Sequence, residues 1–199
     1  MYILKPHDIV TALKIGRNEQ DARLKKVGDL AHLLRNNTVG ELAEDLEKGK
    51  GDISRSINRL IQLGLIAERR RKADDPAVSN RKFYSLNRRA MVDLLIGSIR
   101  HIFAPEKKGY GRGFPTGWNC PQIKSPMNPP DMPLVWPTPG GQVQGEYIEP
   151  LYPKCPEVAE KDEGLYQLLA LIDVVRIGKP RELQYAKELL ETKIMELYS

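Results

Sequence analysis

The stretch that most restricts the fold is residues 38–66, TVGELAEDLEKGKGDISRSINRLIQLGLI, because it reads as two short helices with a break between them. Thr38 stands three residues before Glu41, the spacing of a capping box. The hydroxyl takes an orphan backbone N–H, and the carboxylate reaches back to the cap residue's own N–H. Leu42, Ala43 and Leu46 then share one helical face. Lys48-Gly49-Lys50-Gly51 favours open chain, since two glycines in four residues lose much backbone entropy in a helix. A second helix is expected after it, capped by Asp52 or Ser54, with Ile53, Ile57, Leu60 and Ile61 turned inward at i, i+4, i+7, i+8. Gly64 holds the place of a left-handed C-cap, and Leu65 that of its hydrophobic companion.

The other face of that second helix carries Ser54, Arg55, Ser56, Asn58, Arg59 and Gln62. All are hydrogen-bonding residues and none is a carboxylate, which phosphate would repel. Beyond it, residues 66–72 (IAERRRK) read as a strand, 73–80 as a polar loop with Pro76, and 81–86 (RKFYSL) as the returning strand. Arg69, Arg70, Arg71 and Lys72 are consecutive, so alternation sends them to both faces of the ribbon. With Arg81 and Lys82 opposite, an apolar core could not tolerate the ribbon; phosphate neutralisation compensates it, and an arginine at the tip is placed to reach a minor groove. Asp74 and Asp75 depart from a uniformly basic loop and tell against tip insertion more than against backbone contact.

Over about residues 5–103 the chain resembles the winged helix-turn-helix transcription regulators, MarR-like in outline. The resemblance implies that the helix about 53–63 enters the major groove and that the ribbon 66–86 touches the flanking DNA backbone. The blander reading is a helix pair packed for stability with a solvated polar face. Charge favours the first: residues 1–103 carry 20 Lys and Arg against 13 Asp and Glu, whereas 104–199 carry 11 against 13. A basic surface kept only for solubility would not be segregated in this way.

Upstream, Pro6 suits a first helical turn with Ile9, Val10 and Leu13 on one side, and Gly16-Arg17-Asn18 is expected to end it. A second helix, about Gln20 to Asn36, would place Leu24, Val27, Leu30, Ala31 and Leu34 inward, with Asn36-Asn37 as terminator. Downstream, Asn87 can cap a helix over 88–103 whose stripe of Met91, Leu94, Leu95, Ile99, Ile102 and Phe103 suits packing on a twofold mate. His7 and His32 have no metal-ligand companions, and His101 stands at the edge of that stripe as an interface candidate.

Residues 104–156 change character, holding 12 of the 15 prolines and seven glycines. Low-complexity disorder is one reading. The other is a strap in extended or polyproline conformation, pinned to a globular surface by Phe114, Trp118, Trp136, Tyr147 and Tyr152. Gly109-Tyr110-Gly111-Arg112-Gly113 lacks the order of a phosphate loop, and Cys120 has no histidine near it in sequence. Arg112, Trp118 and Trp136 are the candidates there for a ligand or a partner chain. In 157–199, Asp162 caps a helix bearing Leu165, Leu168, Leu169, Ile172 and Val175. Gly178 ends it, and Pro180 opens a last helix with Leu183, Ala186, Leu190, Ile194 and Leu197 inward. Two amphipathic helices so joined make an antiparallel hairpin.

The chain shows no apolar run near the roughly 20 residues of a membrane span, and its first residues do not read as a signal peptide. Two cysteines make no disulfide framework and fit a reducing cytoplasm. The expected fold is mainly α with a small antiparallel β-wing: a winged helix-turn-helix over 1–103, the strap over 104–156 and the hairpin over 157–199. The expected function is sequence-specific binding of double-stranded DNA as a homodimeric transcription regulator, with no catalytic residues, metal or cofactor. The C-terminal half would dimerise, bind a protein partner or hold a small-molecule effector. The rivals are an antitoxin or adaptor whose strap wraps a partner protein, and an enzyme with its pocket in the strap.

Overall fold

The computed structural model describes residues 3–24, 37–70, 82–124 and 132–197. The chain is mainly helical, with a two-stranded antiparallel sheet, a separate three-stranded sheet and a C-terminal helical hairpin. It divides into two compact units, Met1–Met91 with Ile194–Ser199, and Val92–Lys193. These run across the boundaries expected at 103 and 156.

The first unit starts with α1, Pro6–Leu24. The break expected at Gly16 does not occur: the helix passes straight through it. A Cβ on Gly16 would lie 2.6 Å from Leu86 Cδ2 and 2.9 Å from Leu197 Cδ1. The glycine therefore marks close packing, whose gain outweighs its intrinsic helix cost of about 1 kcal/mol. Of the second helix expected over 20–36, the first residues belong to α1 and 25–36 lie outside the described residues. Asn37, expected as a terminator, is buried and accepts from Asn18 Nδ2 at 3.2 Å. It also donates to the carbonyl of Tyr84 at 3.4 Å, tying α1 to the strand that carries Tyr84.

Helix α2, Val39–Asp45, has the expected capping box: Glu41 N–H donates to Thr38 Oγ1, and Thr38 N–H donates to Glu41 Oε2, each at 3.3 Å. It ends on Glu47, which adopts φ +48 although it is not glycine. Glu47 N–H reaches the Glu44 carbonyl and Lys48 N–H the Ala43 carbonyl, the two bonds of a Schellman turn. Because Glu47 reverses the chain, the next helix starts earlier than expected. α3 spans Lys50–Gln62 with Gly49 as N-cap, and neither Asp52 nor Ser54 caps it. Gly49 is extended, and its carbonyl accepts from Asp52 and Ile53 N–H, so no side chain is needed. At the far end Gly64 takes φ +69, with Gly64 N–H on Ile61 and Leu65 N–H on Leu60, as the sequence spacing requires.

From that turn the chain enters β1, Ile66–Arg70, which pairs antiparallel with β2, Lys82–Leu86, in the register Ile66↔Leu86 to Arg70↔Lys82. Ile66 and Leu86 are buried with Ile9, Leu13, Leu42, Ile53 and Leu60. α4, Arg88–Gly97, is capped by Asn87 Oδ1, which accepts from Ala90 N–H at 3.3 Å. The single helix expected over 88–103 is instead broken at Ser98, and α5 covers only Ile99–Ile102. Gly97-Ser98 pairs two weak helix formers.

In the second unit the described residues of 104–156 pair into a sheet in place of an unpaired strap, with 125–131 outside them. β3, Lys107–Thr116, pairs antiparallel with both β4, Leu134–Pro137, and β5, Val143–Ile148, while β4 and β5 run parallel, closing three strands on themselves. Such tight closure needs glycine where backbones meet. A Cβ on Gly113 would collide with the Trp136 carbonyl, and one on Gly145 with the Pro133 carbonyl. The glycines that suggested a loose strap are what let the strands close.

α6, Cys155–Lys161, leads to α7, Glu163–Ile177, capped by Asp162 Oδ1 on Leu165 N–H at 3.0 Å. α7 is not amphipathic as expected, since every residue from Leu168 to Arg176 is buried. A helix apolar on all sides is a core helix. Gly178 ends it, and α8, Pro180–Glu196, buries Ala186, Leu190 and Ile194, with Leu197 just beyond.

Asp173 and Arg176 form a buried ion pair inside this unit. Asp173 Oδ2 accepts from Trp136 Nε1 at 2.6 Å and Thr116 Oγ1 at 2.8 Å, and Oδ1 accepts from Arg176 Nη1 at 2.7 Å. Arg176 also donates to the carbonyls of Phe103 and Glu149. Burial pushes the Asp173 carboxyl upward, and Arg176, Thr116 and Trp136 offset that only in part.

Two substitutions test these contacts by denaturant unfolding. Gly16→Ala overpacks α1 against Leu86 and Leu197 and is expected to cost about 1–3 kcal/mol, where an unhindered helical site would gain. Trp136→Phe keeps the aromatic bulk but takes a donor from a buried carboxylate, and is expected to cost about 1–3 kcal/mol.

Candidate nucleic-acid interface

On α3 the residues expected to meet DNA, Arg55, Ser56, Asn58 and Arg59 at base edges with Ser54 and Gln62 beside them, separate into an exposed set and a held set. Ser54, Asn58 and Gln62 are exposed, and the Arg55 side chain is 67% accessible. Ser56 is fully buried, which removes it from any surface role. It stands three residues after Ile53 and four before Leu60, on the stripe that packs inward. Its hydroxyl donates to Asp8 Oδ1 at 2.5 Å.

Arg59 is likewise engaged. Its Nε donates to Asp8 Oδ2 at 2.8 Å and its Nη2 to Asp8 Oδ1 at 2.6 Å, while Nη2 also lies 3.2 Å from His7 Nε2. Only 13% of the side chain is accessible, and Asp8 is wholly buried. Arg59 is therefore not the free base reader that its place in the sequence suggested. Asp8 also accepts from Lys5 N–H at 2.8 Å, so one carboxylate closes the start of α1 and holds α3.

Burial alone would raise the Asp8 carboxyl, but hydrogen bonds from Arg59 and Ser56 outweigh it and hold the group below its ordinary value of 3.8. Asp8 in turn raises Arg59. Burial lowers His7, with Lys48, Arg59 and Lys5 acting in the same sense against Asp8. Sequence reading missed Asp8 because it lies 51 residues from Arg59, with no periodicity linking them. It also left Asp52 out of the α3 surface. Asp52 accepts from Arg55 Nη2 at 2.6 Å in an exposed pair, and that bond lowers the Asp52 carboxyl.

Lys5, Arg55, Asn58, Arg59 and Gln62, with Ile3 and Ile61, line an open groove of about 530 Å³ on this face. Among the described residues no carboxylate lines it, and Ile3 is 62% exposed at its edge.

On the ribbon Arg69 is exposed and its Nε donates to Ser85 Oγ at 3.3 Å. Lys82 pairs with Glu68 at 3.1 Å, so the ribbon carries an internal counter-charge. Arg70 ends β1 opposite Lys82. Arg71, Lys72 and Arg81, with the loop acids Asp74 and Asp75, lie outside the described residues.

In the second unit Trp136 is committed to Asp173 and to stacking with Phe114, so it is a core residue and not a ligand contact. Trp118 is 8% exposed and packs near Tyr185, its indole N–H buried without an acceptor among the described residues. Arg112 is exposed on β3 opposite Gln144. Burial pushes the Cys120 thiol up to about 11 and the Cys155 thiol higher still, so neither is a thiolate near neutrality. Among the described residues no helix is long and apolar enough to cross a membrane. Comparison with protein-family models, curated proteins and solved structures finds no match to this chain.

Removing the Arg59 side chain strands a buried carboxylate. Arg59→Ala is expected to cost about 3–5 kcal/mol, against no more than about 0.5 kcal/mol for Arg55→Ala at an exposed pair. The sign of the pH effect follows from Asp8, whose folded pKa lies below the unfolded one. Its contribution is complete above the unfolded value of 3.8 and is lost as pH falls through the lower folded value. In acid unfolding curves Arg59→Ala should move the midpoint to higher pH.

Proposed function

We propose that the chain is a sequence-specific double-stranded DNA-binding transcription regulator of the winged helix-turn-helix kind, MarR-like in docking mode. One observation carries the reading. The outward face of α3 presents Ser54, Arg55, Asn58 and Gln62, with no acid from Ser54 to Gln62, and leads through the Gly64 turn straight into a basic strand pair. Arg55, Asn58 and Gln62 lie at i, i+3 and i+7, about 10 Å along the helix axis. That rise spans about three base pairs. Arginine suits the guanine O6/N7 edge and asparagine the adenine N6/N7 edge, and either contact discriminates by about 1–3 kcal/mol. Asp52 holds Arg55 only through an exposed ion pair, which costs little to exchange for a base.

In this reading Ser54, Arg69, Arg70 and Lys82 contact phosphates, and the protein acts in the cytoplasm as a homodimer on paired half-sites one helical turn apart. Ile102, half exposed at the end of α5, is part of the surface proposed for the mate. The C-terminal half then carries a protein partner or a small effector.

The test is salt-titrated binding of the full-length protein to genomic duplexes. Binding should weaken steeply with salt and favour particular fragments. Arg55→Ala and Asn58→Ala should each cost about 1–3 kcal/mol at one base position, whereas Arg69→Ala and Lys82→Ala should weaken all duplexes alike and each lower the salt slope by about one. Salt-insensitive binding with no preference among fragments would defeat the proposal.

A further inference from the structure

Resting on the DNA-binding reading, we propose that the groove beside α3 is a backbone phosphate subsite. Arg59 is its fixed donor, Asp8 is the positioning residue behind it, and base discrimination falls to Arg55 and Asn58. The division follows from which guanidinium hydrogens are already spent. Nε and one hydrogen of Nη2 go to Asp8, and the rest of Nη2 faces His7. Among the described residues Nη1 alone has no partner. Reading guanine takes two parallel N–H groups from one guanidinium edge, and Arg59 has no complete edge left. Freeing one would abandon Asp8, which has no access to water. Arg59 lines the open groove, and a guanidinium with one nitrogen unspent suits a single phosphate oxygen. Lys5 lines the same groove and supplies charge, while among the described residues no carboxylate lines it.

This arrangement has a signature. Asp8 and Arg59 together carry no net charge, so their contact to phosphate works through a positioned hydrogen bond rather than through counterion release. Asp8 meets only the backbone N–H of Lys5, and the Lys5 side chain makes no ion pair among the described residues.

The test uses the full-length protein and a pool of randomised duplexes, with binding followed against salt. The paired variant Asp8→Asn/Arg59→Gln keeps two neutral hydrogen-bonding groups facing each other. It should weaken every duplex by roughly tenfold, the loss of one charge-assisted hydrogen bond, with the salt slope and the selected sequence unchanged. Lys5→Gln should lower the slope by about one and also leave the sequence unchanged. In the wild-type protein the Arg59 Nε–H should keep its bond to Asp8 and stay protected from solvent exchange when duplex is added, while the Arg59 Nη1–H and Arg55 Nε–H resonances move. This readout does not depend on any variant folding. A new base preference in the paired variant, undiminished affinity, or an Arg59 Nη1–H resonance that duplex leaves unmoved would each overturn the subsite while leaving DNA binding intact. A wild-type protein that selects no duplex would instead overturn the reading on which it rests.

Discussion

A single buried carboxylate, Asp8, sets the geometry of the first unit. It accepts from the backbone at the start of α1 and from two side chains of α3, and so fixes how α3 rests on α1. An ionised group without access to water persists only where its partners are well aligned, which leaves α3 little freedom to roll. A roll of one residue, about 100°, would withdraw Arg55 and Asn58 from the surface. The exposed face of α3 is therefore a consequence of what its buried flank is tied to.

The second unit solves a different problem by a similar device. Asp173 draws donors from β3, β4 and its own helix, and Arg176 carries the charge on to two backbone carbonyls. Around this pair the glycines let three short strands close and α7 fills the interior with apolar side chains. Buried ion pairs are poor sources of net stability but strict about geometry. Here the polar centre specifies which strands meet, and the apolar surround supplies the driving force.

Local signals in the sequence were legible where they act over a few residues. The Thr38–Glu41 box, the Gly64 turn and the Asn87 and Asp162 caps each depend on neighbours within one turn or two, so spacing suffices to read them, while the β1–β2 pairing showed through the composition of two runs either side of a polar loop. Glycine was the misleading residue. Gly16 was expected to stop a helix, yet it lies inside one because Leu86 and Leu197 leave no room for a side chain. Gly113 and Gly145 looked like loop residues and are the places where backbones touch. Conversely Glu47 makes the left-handed turn, beside two glycines that were expected only to open the chain. Sequence displays which residues can adopt an unusual conformation, not which one the surroundings force into it.

The candidate site divides along the same line. The sequence by itself determined that a helix spans the region after residue 50, that its polar side from Ser54 to Gln62 lacks acids, and that cations follow on a ribbon. Those are matters of period and composition. Only the tertiary structure decided that Ser56 is sealed, that Arg59 is held, and that Arg55, Asn58 and Gln62 remain outward. The reason is physical: a helix presents its polar residues over a wide arc, and the edge of that arc that meets another element depends on a partner 51 residues away, Asp8, which no local pattern names.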